Sequence, residues 1–186
     1  MNHEPVATLP FTDQKPGTSG LRRKTRVFMQ PHYLEAFVQS IFHAIGGGRG
    51  KTFVLGGDGR YFNAEAIQTI IKMACGNGAA KLIIGQRGLL STPAASHLIR
   101  MNSADGGFIL SASHNPGGIE ADFGVKFNIA NGGPAPEDLT DSIYRASRTL
   151  NGYRRAEIPD VDLGQVGTTH RGGDGHQDRR SRNGLS

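Results

Sequence analysis

The stretch TFVLGGDGRYFNAEAIQTIIKMACGNGAAKLIIG, residues 52–85, decides the fold class because its periodicity changes twice. "TFVLGG" (52–57) and "KLIIG" (81–85) are short apolar runs that predict buried strands. Between them, "NAEAIQTIIKMACGNG" (63–78) reads as a helix, with Asn63 as the expected N-cap and the closing glycines as its exit. A strand, a helix and a second strand in succession indicate a parallel β–α–β unit.

The same alternation continues on both sides of this unit. Helices are predicted over residues 31–45, 91–104 and 136–150, and strands over residues 106–113 and within 124–133. "KPGTSGLRRK" (15–24) is rich in turn-forming residues, so we interpret it as a loop with a basic end. The pattern predicts an α/β sandwich with a largely parallel sheet. Ligands in such sheets gather beyond the carboxyl ends of the strands, where Ser111 and Ser113 would lie.

Composition narrows the functional classes. The chain has 186 residues, 37% hydrophobic and 20% charged, which fits one soluble globular domain. Its single cysteine, Cys75, excludes an intramolecular disulfide framework and a cysteine-rich zinc site. The net charge of +5 does not indicate a nucleic-acid partner, because the local basic cluster is confined to residues 22–24 and tryptophan is absent.

The chain shows no membrane or secretory signature. No apolar run approaches the roughly 20 residues that span a bilayer, and the first residues lack a basic segment followed by an apolar one. We therefore expect a cytoplasmic protein without a membrane partner.

"GGGRGKT" (46–52) invites interpretation as a phosphate-binding P-loop, which we reject. The P-loop pattern requires a glycine where this chain has Ile45, and a P-loop follows a strand and opens a helix. This segment instead precedes the strand predicted over 52–57.

"SASHNPGG" (111–118) is the candidate site. A serine hydroxyl such as that of Ser113 is a weak nucleophile without a base or a metal, and His114 is its neighbour in sequence. The hydrolase elbow requires glycines on both sides of the serine, whereas Ala112 and His114 stand there, so acyl transfer is disfavoured. The turn has backbone N–H groups that suit an anion. The residues alone leave two interpretations of this loop open, a site of phosphate chemistry and an ordinary turn.

This loop resembles the active-site serine loop of the α-D-phosphohexomutases, which is usually written T-A-S-H-N-P. Further resemblances follow in order in "KPGTSGLRRK", "GGDGRYFNAEA" and "DFGVKFNIANGGPAPE". The resemblance extends from about residue 7 to residue 169, and the long first segment favours the phosphoglucomutase branch over phosphomannomutase or phosphoglucosamine mutase. It implies a three-layer α/β/α sandwich with a mixed, mostly parallel sheet. Ser111 replaces the usual threonine, and "GGIEADFG" (117–124) replaces a more usual GGPxGDFG.

The resemblance also implies a mechanism and roles for individual residues. Ser113 would be a phosphoserine that exchanges its phosphoryl group with a sugar phosphate through glucose 1,6-bisphosphate, which also serves as activator. The serine phosphate would be one ligand of a Mg²⁺ ion. His114 would line the site, and Lys126 would offset charge near the phosphate and move a proton. The substrate-binding residues would be Thr18, Ser19 and Arg22. Such charge neutralisation is the main requirement of phosphoryl transfer.

The resemblance covers only the first of the family's four domains. The D-G-D-x-D metal loop of the second domain does not occur in this sequence. The other domains of the full-length enzyme are therefore expected partners, beside sugar phosphates, and the chain alone is expected to be inactive. A non-catalytic module that binds a sugar phosphate or a protein is the alternative. A basic-tailed nucleic-acid binder is disfavoured, because the charges match a metabolite site.

We expect three regions: an N-terminal extension (1–14), a phosphohexomutase domain (15–163) and a tail (164–186). The tail "GQVGTTHRGGDGHQDRRSRNGLS" has almost no apolar residues and is expected to be disordered. One choice of codons for residues 174–182, shifted by one base, encodes a strand like that of the family. A frameshift is therefore our hypothesis for the tail, and the nucleotide sequence of the gene tests it.

Overall fold

The computed structural model describes residues 4–169, which form an α/β structure. Its elements in chain order are β1 (Val6–Ala7), β2 (Leu21–Lys24), α1 (Thr25–Phe28), α2 (Tyr33–Ala44), β3 (Thr52–Gly57), α3 (Asn63–Gly76), β4 (Lys81–Leu89), α4 (Thr92–Met101), β5 (Gly106–Leu110), β6 (Asp122–Ile129), α5 (Glu137–Thr149) and β7 (Gly152–Tyr153). The predicted disordered tail lies outside the described residues from position 170 onward. The division of the chain into three regions stays a prediction.

The main sheet has five strands in the order β2-β6-β5-β3-β4. β3 pairs in parallel with β4 and β5, whereas β6 pairs antiparallel with β5 and β2. Four strands therefore run in one direction and β6 alone runs in the other. The prediction of an α/β fold with a mixed, mostly parallel sheet is confirmed. A separate two-stranded sheet joins β1 to β7.

Helices cover both faces of the main sheet. The larger cluster joins α2, α3 and α5 to side chains on one face of the sheet, among them Phe53, Leu55, Phe108, Leu110, Phe123 and Val125. The smaller cluster joins α4, through Ala95 and Ile99, to Val54 and Ile109 on the opposite face. Adjacent strand residues thus point to opposite layers, as the two-residue repeat of a strand requires.

The N-cap prediction for Asn63 is wrong. Phe62, with φ of 76°, precedes α3, and no side chain caps the helix. Asn63 is buried and its Nδ2 donates to the Gly88 carbonyl at 3.3 Å. The side chain therefore links α3 to β4, and that use competes with capping.

The interpretation of residues 15–24 as a loop is also wrong at its end, because Leu21–Lys24 form strand β2. Leu21 is buried opposite Val125, and Arg22 lies opposite Gly124. One apolar residue followed by three basic ones carries no strand pattern, so pairing with β6 creates this strand. The predicted strand 106–113 ends at Leu110 instead, which leaves both serines in the following loop.

Residues 154–164, which we call the C-terminal strap, cross α3 and reach strand β4. The Ala156 N–H donates to the Lys72 carbonyl at 2.9 Å. The Gln68 side chain both donates to the carbonyl and accepts from the N–H of Val161, each at 2.9 Å. The Arg87 N–H of β4 donates to the Leu163 carbonyl at 2.7 Å. The strap therefore crosses α3 and contacts the outer strand of the sheet at Arg87.

Gly20 is expected to tolerate no side chain. Its φ is 83°, and a Cβ there would lie 2.4 Å from the Val125 oxygen and 2.5 Å from the Lys126 Cβ. Gly17, its partner in the same turn, would place a Cβ with nothing within 4 Å. Gly20→Ala should lower the free energy of unfolding by about 2–3 kcal/mol and Gly17→Ala by less than about 0.5 kcal/mol, measured by urea unfolding. Equal losses in the two variants would contradict this packing.

Candidate functional site

The serine loop, residues 111–121, joins β5 to the reversed strand β6. Ser113 is exposed, and its φ is 55°, in the left-handed region. A residue other than glycine costs about 1–2 kcal/mol there. The surrounding contacts must therefore hold this conformation.

Side chains hold both backbone polar groups of Ser113. Its N–H donates to Ser111 Oγ at 3.0 Å, and its carbonyl accepts from Arg60 Nη2 at 3.1 Å. The Asn115 N–H donates to the Ala112 carbonyl at 3.1 Å, which closes the turn around the serine. The hydroxyl that replaces the family's usual threonine is thus used in the fold of the loop.

The guanidinium of Arg22 contacts the hydroxyl of Ser113 directly. Arg22 Nη2 donates to Ser113 Oγ at 2.7 Å, across 91 positions of sequence. Arg22 Nε is buried and has no hydrogen-bond partner among the described residues. The Arg22 guanidinium contacts the serine oxygen and keeps one N–H donor without a partner within residues 4–169. Such a cation suits a group on Ser113 that carries several negatively charged oxygens.

Lys126 adds a second cation on the same face of the sheet. Arg22 pairs with Gly124, and Lys126 follows Gly124 by two positions on β6, so both side chains leave the sheet on one side. Burial lowers the pKa of the Lys126 ammonium, and the charge of Arg22 lowers that pKa further. The two cations repel each other, and an anion between them would relieve that repulsion.

The three other predicted residues are exposed at the rim. Thr18 and Ser19 lie at the tip of a tight turn that Gly17 and Gly20 close with two backbone hydrogen bonds of 3.1 and 3.0 Å. That turn touches the site where Gly20 packs against Lys126. His114 is exposed next to Ser113.

Arg60 is a site residue that the sequence reasoning missed. Its charged side chain is only 8% exposed, and it lies beneath the serine loop, hydrogen-bonded to Ser113. The available signal was its position, two residues after the Asp58 that follows β3, at the carboxyl end of the strand beside β5. Periodicity could not show it, because the residue belongs to a turn.

Ion pairs fix the arm of the loop that descends into β6. Arg26 pairs with Glu120, and Lys24 Nζ lies 2.9 Å from Asp122 Oδ1. Glu120 belongs to the segment that departs from the family's usual sequence. The Arg26–Glu120 pair is exposed and screened by solvent, so it adds little to the free energy of unfolding. Its main effect is to orient this arm of the loop.

Cations outnumber free carboxylates around Ser113. Within residues 4–169, no group of three or more His, Cys, Asp and Glu side chains is arranged to hold a metal. The carboxylate of Asp58 is paired with Arg60. This part of the chain therefore does not by itself form a Mg²⁺ site, since that ion takes about six oxygen ligands.

Comparison with known proteins gives consistent matches. Residues 13–154 match the family model described as phosphoglucomutase/phosphomannomutase, alpha/beta/alpha domain I. The chain is 59% identical to a phosphoglucomutase of Aspergillus fumigatus over 169 residues, which is 90% of this chain and 30% of that protein. It is 56% identical to a cytoplasmic phosphoglucomutase of Populus tremula, covering 88% of this chain and 30% of that protein.

A solved structure matches the fold equally well. The open form of the exocytosis-sensitive phosphoprotein parafusin, a phosphoglucomutase from Paramecium, superposes with a TM-score of 0.85 at 46% identity. The match covers 88% of this chain and 31% of that one. The chain thus spans about a third of the length of its relatives.

Replacing Arg22 should raise the pKa of Lys126. In Arg22→Met the repelling charge is gone and burial remains, so this pKa should move up without reaching its ordinary value. The measurement is an NMR titration of ¹³C-methylated lysines, with Lys126→Arg to assign the signal. Arg23→Met is the control, since its side chain leaves the opposite face of β2, and it should leave the Lys126 pKa unchanged. A Lys126 pKa that does not respond to Arg22→Met would contradict the proximity of the two charges.

Proposed function

Because this chain belongs to the phosphoglucomutase/phosphomannomutase family through its first α/β/α domain, we propose that Ser113 carries the phosphoryl group in a phosphoglucomutase-type reaction. The reaction interconverts glucose 1-phosphate and glucose 6-phosphate. The observation that carries the proposal is the 2.7 Å hydrogen bond from Arg22 to an exposed serine oxygen in a left-handed turn. The similar protein parafusin is named a phosphoprotein, which gives further support.

The proposed reaction consists of two phosphoryl transfers. In the first, the bond between phosphorus and Ser113 Oγ breaks and Oγ takes up a proton, while a sugar hydroxyl oxygen bonds to phosphorus and gives up its proton, which yields glucose 1,6-bisphosphate. In the second, the other phosphoryl group of the bisphosphate passes to Ser113 Oγ, which gives up its proton, and the sugar oxygen that it leaves takes a proton. The serine ends as it began, and the sugar phosphate is isomerised.

Arg22 and Lys126 supply the fixed positive charge that phosphoryl transfer requires. Negative charge spreads over the transferring phosphoryl oxygens, and fixed positive groups stabilise that charge at little cost in reorganisation. Arg22 already contacts the oxygen to which phosphorus would bond. Lys126, whose pKa is lowered by burial and by Arg22, gives up a proton more readily than an ordinary lysine. We propose that Lys126 exchanges the proton with the sugar oxygen.

The remaining residues of the site would receive the sugar phosphate. Thr18 and Ser19 present hydroxyls on the exposed turn beside Lys126, and Arg22 would reach from the serine to the substrate phosphate. His114 would line the site next to the transferring group. These roles rest on the resemblance of the loops and on the positions of their residues.

Mg²⁺ would bind through the phosphate on Ser113, with its other ligands supplied from outside residues 4–169. When bound, the ion would neutralise charge on the phosphoryl oxygens.

We propose that this chain accepts a phosphoryl group slowly and does not complete turnover by itself. The segments that the resemblance assigns to metal and sugar binding lie in the domains that would be its partners. The Populus relative is named as a cytoplasmic form, which supports a cytoplasmic location, although a Brassica napus relative is named as chloroplastic. Among residues 4–169 no helix is long and apolar enough to cross a membrane.

Incubation with glucose 1,6-bisphosphate should transfer one phosphoryl group to Ser113, detected by mass spectrometry of the intact chain and its peptides. Ser113→Ala should abolish the label. Ser103→Ala is the matched control, because Ser103 is also exposed with a left-handed φ of 49° and should have no effect on labelling. A label of equal size in Ser113→Ala, or none in the unaltered chain, would refute the carrier role.

The proposal also predicts that the chain alone shows no measurable conversion of glucose 1-phosphate in a coupled assay. Added phosphoglucomutase serves as the positive control for the assay. Brisk turnover by the chain alone would contradict the dependence on other domains.

A further inference from the structure

Arg60 is a charged side chain that the proposed chemistry does not use. It lies in the turn after β3 and is 8% exposed. Its Nε is 3.0 and 2.9 Å from the two carboxylate oxygens of Asp58, and its Nη2 is 2.8 Å from Asp58 Oδ2. The carboxylate thus holds one edge of the guanidinium plane.

The outer nitrogens of Arg60 reach two further segments. Nη1 donates to the Asp122 carbonyl at 3.0 Å, at the first residue of β6. Nη2 donates to the Ser113 carbonyl at 3.1 Å. One planar group therefore ties together the turn after β3, the serine loop and the start of β6. A lysine could not do this, because its single nitrogen lacks the fork of donors.

The loop passes closely over the stem of Arg60. A Cβ on Gly117 would lie 3.0 Å from the Arg60 Cβ, so the loop backbone at Gly117 passes close to this side chain. The contact between Arg60 and the loop is thus made of packing as well as hydrogen bonds.

The left-handed backbone of Ser113 requires support of this kind. Ser111 Oγ accepts the Ser113 N–H, and Arg60 donates to the Ser113 carbonyl. These two bonds hold the successive peptide groups on either side of the Ser113 Cα, so φ and ψ of Ser113 cannot change far without breaking one of them. The direction of the Ser113 side chain follows from the backbone angles, and that direction places Oγ on Arg22.

We propose that Arg60 is a positioning residue, whose guanidinium, fixed by Asp58, keeps Ser113 in its left-handed conformation and so aims Oγ at Arg22. The consequence for phosphoryl transfer rests on the proposed function. Arg60 itself touches no reacting atom. The Arg60 guanidinium is buried while the Asp58 side chain is 29% exposed, and such an ion pair adds little net stability compared with apolar packing, so its use here favours a role in fixing geometry.

The first arm of the test measures the backbone conformation of Ser113, and its result does not depend on the proposed function. The φ angle of Ser113 is obtained by NMR, from ¹³C shifts and the HN–Hα coupling, in the unaltered chain and in Arg60→Met and Arg60→Lys. Both substitutions should shift Ser113 out of the left-handed region while the signals of the core stay in place. Arg26→Lys is the control, since Arg26 makes an exposed ion pair with the same loop through Glu120, and it should leave φ unchanged.

The second arm measures the rate of labelling by glucose 1,6-bisphosphate. Both Arg60 variants should label about 10- to 100-fold more slowly than the unaltered chain, because a misplaced nucleophile loses its near-attack geometry. Arg26→Lys should label at the unaltered rate. If Arg60→Met does not fold, Asp58→Asn replaces it, since that change frees the guanidinium and should produce the same two effects in milder form.

The outcomes separate the two proposals. A left-handed Ser113 retained in folded Arg60 variants overturns the positioning role, whatever the labelling rate. A displaced Ser113 with an unaltered labelling rate also overturns it, because the conformation would then not matter for transfer. Failure of the unaltered chain to label overturns the carrier function of Ser113, while the NMR result still decides whether Arg60 sets the loop.

Discussion

The antiparallel pairing of β6 between β5 and β2 is the constraint on which the site depends. β5 ends at Leu110, the serine loop follows, and β6 returns alongside, so the loop must stand at the carboxyl edge of the sheet. The same strand carries Lys126, and its other neighbour, β2, carries Arg22. One reversed strand thus brings Arg22, from a distant segment of sequence, next to the serine loop and Lys126. A fully parallel sheet would have sent the chain through a helix before it could return.

Much of this arrangement can be read from the sequence, and the failures have physical reasons. The helices and the strands β3, β4 and β5 are long enough to show their periodicity. β2 could not be seen, because Leu21 is its only apolar residue and the strand exists through its partner. Asn63 has the chemistry of a cap, but it is buried and bonded to Gly88. For both β2 and Asn63, tertiary contacts outweigh the preference of the local sequence.

The site residues divide in the same way. Ser113, Arg22 and Lys126 follow from the resemblance of short motifs. The structure places Arg22 in contact with Ser113, and the roles of the three residues stay predictions. Arg60 belongs to the segment GGDGRYFNAEA, which resembles the family, yet nothing in the local sequence indicates that its charge is buried. The roles of His114, Thr18 and Ser19 stay predictions, because exposed side chains at a rim show their part only when a ligand is bound.

The C-terminal strap has a consequence for how separate copies of this chain meet. β4 is the outermost strand on its side of the sheet, and an open outer strand is a template for another chain. Because the strap occupies part of that margin, a second molecule finds fewer unpaired backbone groups there. At the opposite margin, β2 is only four residues long, and so short an outer strand offers few backbone groups to a neighbour. Both margins of the sheet therefore offer less backbone to the strand-by-strand growth that leads to aggregates.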